Sequence, residues 1–73
     1  MSQKRDGDAK RILRAEMALH AVTYEILSAR LGEIGVKETN ASLRNKLSRG
    51  SFTADFFLQC LSALEVKTLR LVD

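Results

Sequence analysis

The sequence predicts a single all-α domain of four to five helices, and three observations support this class. The chain has no proline and only four glycines in 73 residues, which favours helices joined by short turns. Apolar residues make up 45 % of the chain, as in an ordinary globular protein, and many recur at the three- and four-residue spacings of amphipathic helices. Threonines stand at the expected starts of three helices, where a side-chain oxygen caps free backbone N–H groups.

The first predicted helix follows a short polar segment. Residues 1–7 lack hydrophobic periodicity, which predicts a flexible N-terminal arm before one domain over residues 8–73. Asp8 is the candidate N-cap, with its carboxylate at the positive end of the helix dipole. The helix is expected to end around His20 and Ala21. Its outward side carries Lys10, Arg11 and Arg14, and its apolar stripe is Ala9, Ile12, Leu13, Met17 and Leu19.

The second predicted helix begins after Thr23, its candidate N-cap. Val22 and Leu27 flank this position with the spacing of a hydrophobic staple. Further inward positions are Leu31 and Ile34. Because the apolar line continues to Ile34, we expect the helix to end at residue 35, a glycine, and Gly32 to lie in the last turn. An end at Gly32 is the alternative.

The third predicted helix is short and basic. Thr39 or Asn40 caps it, and it runs to Arg49, with Gly50 just beyond its end. Leu43 and Leu47 form its inward line. The opposite face is polar, cationic and free of acidic residues, whereas an ordinary surface helix mixes glutamate with lysine. This face comprises Ala41, Ser42, Asn45, Ser48 and Arg49, flanked by Arg44 and Lys46.

The fourth predicted helix is strongly apolar. Thr53 is its candidate N-cap, and Phe52 and Phe57 have the spacing of a second staple. Inward positions are Phe57, Cys60, Leu61 and Leu64, with Phe56 and Leu58 on the flanks. This arc spans roughly 200°, wider than one packing partner requires, so the helix is either central or partly in a dimer interface. The tail from Lys67 fits either a strand or one more helical turn.

Positive charge is concentrated in two segments of the chain. Residues 1–14 and residues 37–50 each carry a net charge of +3, and the other residues together carry −3. Two basic patches on a slightly acidic body are typical of a nucleic-acid-binding protein. Two solvated helix faces are the alternative interpretation of the same charges.

Several function classes lack their usual residues. One histidine and one cysteine, Cys60, are too few for a usual zinc site. No carboxylate pair, histidine-centred constellation or phosphate-binding glycine loop indicates an enzyme, a cofactor or a metal. No apolar run approaches the roughly 18 residues of a membrane span, so the expected location is cytoplasmic without membrane contact. A core this small yields about 3–5 kcal/mol, which favours a homodimer.

Several segments between residues 12 and 65 resemble a known family. T-Y-E-I-L-S-A-R-L, then G-V, then L-S-R-G before a capped apolar helix is similar to the Cro/repressor-type helix-turn-helix family. The resemblance implies a lambda-repressor-like fold and a small bacterial or phage transcriptional regulator that binds double-stranded DNA, with residues 39–49 as recognition helix. Leu43 and Leu47 are four residues apart, whereas this family commonly spaces its inward pair by three. The run N-K-L-S-R-G-S-F-T-A-D-F-F-L-Q-C-L also resembles a family of short bacterial proteins without assigned function.

If the third helix enters the major groove, donor and acceptor geometry assigns roles to its side chains. Asn45 would pair with adenine, Arg44 or Arg49 with guanine, Ala41 with a thymine methyl group, and Ser42 with a base or phosphate. The expected phosphate contacts are Lys10, Arg11, Arg14, Lys37 and Lys46.

The alternative function is a small protein-interaction module, adaptor or antitoxin-like. It would bind a protein partner through the apolar face around Phe56, Phe57 and Leu58.

Overall fold

The computed structural model describes residues 8–69, which form four α-helices and no strand. The helices are α1 (Asp8–Leu19), α2 (Tyr24–Glu33), α3 (Asn40–Arg49) and α4 (Ala54–Ala63). The predicted all-α class is therefore confirmed, with the lower of the two helix numbers in this part of the chain. The predicted arm, residues 1–7, and the last four residues, 70–73, lie outside the described residues.

One apolar core holds the four helices together. Within residues 8–69, α3 and α4 each pack against both α1 and α2, and these are the helix pairs in contact. The predicted inward lines of α2 and α3 are confirmed, because Leu27, Leu31, Leu43 and Leu47 are fully buried. The core comprises Leu13, Met17, Val22, Leu27, Leu31, Leu43, Leu47, Phe56, Cys60, Leu61, Ala63 and Leu64.

Three of the helices begin in the same way. The hydroxyl of Thr23 accepts a hydrogen bond from the backbone N–H of Ile26 at 3.2 Å. Thr53 accepts from Phe56 at 3.0 Å. Thr39 is the cap of α3, so the choice between Thr39 and Asn40 is settled. All three threonines thus satisfy an N–H that the first helical turn leaves without an intrahelical partner.

The aromatic staple at the start of α4 is also confirmed. The rings of Phe52 and Phe57 stack with their centroids 6.2 Å apart. Phe52 also meets Phe56 at 5.3 Å in a tilted arrangement. The staple fixes the direction in which the chain enters α4, and with it the position of the turn that follows α3.

The ends of α1, α2 and α4 share a motif that residue types alone do not reveal. Each has a residue in the left-handed region at the turn: Ala21 (φ 56°), Gly35 (φ 86°) and Glu65 (φ 61°). The next residue is a valine each time, and its N–H bonds to the carbonyl five residues earlier, at 2.8–3.0 Å. This is the Schellman arrangement, in which the residue after the turn also packs on the helix it has just left. The valine–carbonyl pairs are Val22–Met17, Val36–Leu31 and Val66–Leu61.

Three predictions about α1 and α2 were wrong. Leu19 is 76 % exposed, because it follows the buried Met17 by two residues, about 200° around the helix. Ile34 is 48 % exposed, because α2 ends at Glu33 and Val36 turns back onto the core instead. Asp8 lies within the first turn of α1 rather than before it as a cap.

One position in the predicted inward line of α4 was wrong. Phe56 is 5 % exposed and belongs to the core, whereas Phe57 is half-buried beside Phe52. Cys60, Leu61 and the residue at position 64 are buried as predicted. The stacking of Phe57 on Phe52 draws it to the rim of the core, and Phe56, four residues before Cys60, takes the inward position.

Residues 66–69 adopt neither of the two forms expected for the tail. They have no regular secondary structure, and Val66 and Leu69 pack against the core as partly buried side chains. The strand alternation predicted through Leu71 extends into residues that the structure does not describe.

Two glycines at the end of α2 should respond oppositely to alanine. Gly35→Ala should destabilise the fold by roughly 1–2 kcal/mol, because an L-residue at φ 86° brings its Cβ close to the following carbonyl oxygen. Gly32→Ala should stabilise it by about 0.5–1 kcal/mol, since Gly32 is helical and a Cβ there meets nothing within 4 Å, so alanine improves helix propensity. Urea unfolding followed by circular dichroism measures both changes; equal signs would contradict the end of α2 described above.

Candidate nucleic-acid interface

The outward face of α3 is exposed and carries no acidic side chain. Leu43 and Leu47 hold the helix on the core, which turns the remaining face to solvent. The exposed positions of the helix are Asn40, Ala41, Arg44, Asn45, Ser48 and Arg49. Four of the five residues predicted to face DNA bases, namely Ala41, Arg44, Asn45 and Arg49, are thus accessible together on this face.

Ser42, the fifth predicted base-facing residue, is engaged within the domain. It forms a capping box with Thr39: each side-chain oxygen accepts a hydrogen bond from the other residue's backbone N–H, at 3.0 Å in both directions. The Ser42 hydroxyl also donates to the carboxylate of Glu38 at 2.6 Å. Contact between Ser42 and a base or phosphate would therefore require these hydrogen bonds to break.

Lys46 also has partners in the domain. Its ammonium lies 2.6 Å from Glu38 Oε2 and 4.6 Å from the centre of the Phe56 ring. The sequence interpretation had treated Lys46 as a flank of an acid-free face. The acidic partner comes from the turn before α3, eight residues earlier, and it neutralises this cation.

Glu38 is the centre of this network. Burial raises the pKa of its carboxyl, whereas the hydrogen bonds from Lys46 and Ser42 and the charge of Lys46 lower it. The lowering effects together are larger, so the pKa of Glu38 lies below its usual value. The backbone carbonyl of Glu38 accepts a hydrogen bond from the Ser28 hydroxyl on α2. Glu38 therefore links α2 to α3, and through Lys46 and Phe56 to α4.

Cys60 lies in the core close to the same network. Its side chain is fully buried, and burial, reinforced by the negative charge of Glu38 and opposed by Lys46, raises the pKa of the thiol to about 12. A thiol with this pKa is protonated at neutral pH, which is the state of a structural rather than a nucleophilic cysteine.

Arg44 is held differently from the other exposed cations of α3. Its guanidinium carbon lies 5.7 Å from the centre of the Tyr24 ring, within the range of a cation–π contact. Tyr24 is the first residue of α2, directly after the capping residue Thr23, and its ring is partly buried against the core. The Arg44 side chain on α3 is therefore supported by an aromatic ring on α2.

The two basic segments of the sequence meet at the end of α3. Lys10, on α1, donates a hydrogen bond to the Ser48 carbonyl at 3.3 Å. Its aliphatic chain lies beside Gly50, where an added Cβ would be 3.5 Å from Lys10 Cδ. Lys10 thus places a positive charge at the negative end of the α3 dipole and brings α1 next to Arg49.

The other predicted phosphate contacts differ in their exposure and in their partners within the domain. Arg14 is exposed and makes no hydrogen bond or ion pair within residues 8–69, and the same holds for Arg49. Arg11 pairs with Asp8 one turn earlier. Lys37 is exposed but precedes α3, away from the end that Lys10 contacts. The candidate phosphate contacts are therefore Lys10, Arg14 one turn later on α1, and Arg49 next to Ser48, and we call these three residues the α1–α3 cationic cluster.

The apolar face that motivated the alternative function is reduced in the structure. Phe56 is buried and Phe57 is half-buried, so Leu58, 60 % exposed, is the exposed member of the three. The other large exposed apolar side chains in residues 8–69 are Leu19, Ile26 and Ile34. None of the helices of this region is long and apolar enough to span a membrane.

A comparison with protein families identifies the family of the chain. A family model described as a domain of unknown function, DUF6471, matches residues 6–69. The chain belongs to the DUF6471 family. Membership in DUF6471 agrees with the predicted resemblance to a family without assigned function, and it lends no support to the Cro/repressor-type resemblance. No curated protein and no solved structure matched this DUF6471 chain.

Two residues that contact side chains of the candidate interface were not predicted for it. Glu38 was counted only as a charge, and the signal that it pairs with Lys46 is weak, since eight residues separate them across a helix start. The contact between Tyr24 and Arg44 was not predicted. The position of Tyr24 under Arg44 depends on how α2 packs on α3, and a single sequence does not contain that distance.

Proposed function

We propose that this protein binds double-stranded DNA through α3, as a small transcriptional regulator. The observation that carries the proposal is the exposed, acid-free face of α3 with Arg44, Asn45 and Arg49 side by side. A polar helix face with arginine and asparagine has the donors and acceptors that base edges in the major groove require. The basic residues beside it supply the sequence-independent attraction to phosphates.

The contacts within the domain refine which residues take which part. The α1–α3 cationic cluster supports a phosphate-binding role for Lys10, Arg14 and Arg49, because it joins two helices at one end of the exposed face. Ser42 and Lys46 are assigned to holding α3 in place, since both are bonded to Glu38. The proposed base contacts are then Ala41, Arg44 and Asn45.

The test is fluorescence anisotropy with random-sequence duplex DNA at low salt. We expect binding at micromolar protein that weakens steeply as salt rises. Arg49→Ala should weaken binding to all duplexes alike and lower the salt slope by about one charge. Lys67→Ala is the matched control, because Lys67 is exposed but lies outside the proposed surface, and it should change neither quantity.

Two outcomes would contradict the proposal. The first is no binding by the parent protein at micromolar concentration. The second is an equal change in affinity and salt slope for the Arg49 and Lys67 variants. That result would mean that DNA binds to the overall positive charge of the protein rather than to this surface.

A homodimer is part of the same proposal. Repressor-type dimers place their recognition helices about 34–36 Å apart, one turn of DNA, so the preferred site should contain two half-sites at that spacing. Light scattering on the complex with a selected duplex gives the stoichiometry, and two chains per site are expected.

A further inference from the structure

We infer that Arg44, stacked on Tyr24, is the residue that recognises guanine, and that Tyr24 is the positioning residue for it. This inference rests on the proposed function and adds the assignment of specificity within the DNA-binding surface. Sequence reasoning left Arg44 and Arg49 as equivalent candidates for guanine. Their surroundings in the structure are different, and the difference separates their roles.

Tyr24 is a fixed support because two constraints act on it. Thr23 caps α2 directly before it, with the Thr23 hydroxyl bonded to the Ile26 N–H. The ring itself is partly buried against the core that also contains Leu27 and Leu43. Neither constraint depends on DNA, so the ring occupies this position in the free protein.

Arg44 gains orientation from this support. A free arginine side chain loses rotamer entropy when it is fixed, and its planar fork makes two parallel hydrogen bonds only in one plane. The guanidinium carbon lies 5.7 Å from the ring centre, a contact that favours this position of the group while its N–H groups remain available as hydrogen-bond donors. Two such N–H donors match O6 and N7 of guanine.

Within residues 8–69, no aromatic ring supports Arg49 in this way. It is the last residue of α3, and its backbone lies between the two places where Lys10 contacts the helix, Ser48 and Gly50. A flexible cation next to another cation suits a phosphate, which needs charge but little angular precision. The two arginines of α3 therefore divide into a base reader and a phosphate contact.

The experiment begins with selection of a preferred duplex from a random pool by the parent protein. Guanine discrimination is then the ratio of dissociation constants for this duplex and for versions in which each G·C pair is changed to A·T. The ratio is measured for the parent, Arg44→Ala, Tyr24→Phe, Tyr24→Leu and the double variant Tyr24→Leu/Arg44→Ala. Circular dichroism confirms that each variant is folded.

The inference predicts a specific pattern in these ratios. Arg44→Ala should lower discrimination at one G·C pair by about fivefold or more, whereas Arg49→Ala should leave it unchanged and weaken all duplexes. Tyr24→Leu should lower discrimination at the same pair by about two- to fivefold, the size of an exposed cation–π contact. Tyr24→Phe keeps the ring and should retain the parent ratio. In the Arg44→Ala background, Tyr24→Leu should have no further effect.

Each other pattern overturns the inference in a recognisable way. Equal losses of guanine discrimination in Tyr24→Phe and Tyr24→Leu would assign the role to the phenol hydroxyl rather than to the ring. A Tyr24→Leu loss of the same size with and without Arg44 would make Tyr24 a structural residue only. Parent-like discrimination in Tyr24→Leu refutes the inference while leaving DNA binding intact, whereas failure of the parent to bind DNA refutes both proposals.

A variant on the other partner covers the case in which Tyr24→Leu does not fold. Arg44→Lys keeps the charge but removes the planar fork. It should lose most of the guanine discrimination, and it should weaken binding to random duplex less than Arg44→Ala does, because the charge is kept. Discrimination equal to the parent would overturn the assignment of Arg44.

Discussion

Leu47→Ala should remove most of the stability of the domain, whereas Leu58→Ala should leave its stability almost unchanged. Leu47 is fully buried and Leu58 is 60 % exposed. A buried leucine truncated to alanine costs about 2–5 kcal/mol, and a domain of this size commonly has only about 3–5 kcal/mol in total. A surface substitution stays within about 0.5 kcal/mol. Urea unfolding at one fixed protein concentration, followed by circular dichroism, measures both.

The comparison of these two leucines also tests the interaction-module alternative. A loss above about 1 kcal/mol in Leu58→Ala would mean that this side chain is covered in solution, by a second copy of the chain or by an unrecognised part of it. A small loss in Leu47→Ala would contradict the packing of α3 on the core, and with it the exposed face on which the proposed function rests.

Lys46→Met should destabilise the domain by about 1–3 kcal/mol, the usual cost of leaving a largely buried charged group without its partner. The Glu38 side chain is 12 % exposed and is paired with Lys46 at 2.6 Å. Methionine keeps the length and the contact with Phe56 but removes the charge. Lys37→Met is the matched control, since Lys37 is exposed and makes no ion pair within residues 8–69, and it should change stability by less than about 0.5 kcal/mol.

The pH dependence of the Lys46→Met effect identifies Glu38 as its cause. The pKa of Glu38 is lowered in the folded state, so the unfolded state binds this proton more readily. The stabilisation is therefore complete above the unfolded-state pKa and is lost as the pH falls through the lower folded-state pKa. The stability gap between the parent and Lys46→Met should be constant near neutral pH and should narrow at acidic pH, where Glu38 is protonated in the variant before it is protonated in the parent. A gap that does not change with pH would show that the loss arises from packing alone.

Local signals in the sequence predicted the helix starts and most of the core. The caps Thr23 and Thr53 were predictable because each cap, its N–H partner and the staple residues lie within a few positions of one another. The inward pair Leu43 and Leu47 followed from helical spacing in the same way. Such features depend on a single helical turn, so one sequence contains nearly all the information that specifies them.

Two of the contacts that sequence reasoning missed join residues that are distant along the chain. Lys10 reaches the end of α3 across 38 positions, and the stacking of Arg44 on Tyr24 joins residues on different helices. The residue types on the outward face of α3 were therefore predicted. Which of these side chains contact Tyr24, which bind Glu38 and which make neither contact was not predicted. These contacts decide which residues are available to a ligand.

The repeated turn after α1, α2 and α4 implies that spacing, rather than glycine content, marks where these helices stop. Only one of the three left-handed positions is a glycine, and the other two hold Ala21 and Glu65. What recurs is a buried methionine or leucine with a valine five residues later. In another chain with this architecture, that apolar interval would locate the boundaries between helices even where no glycine or proline is present.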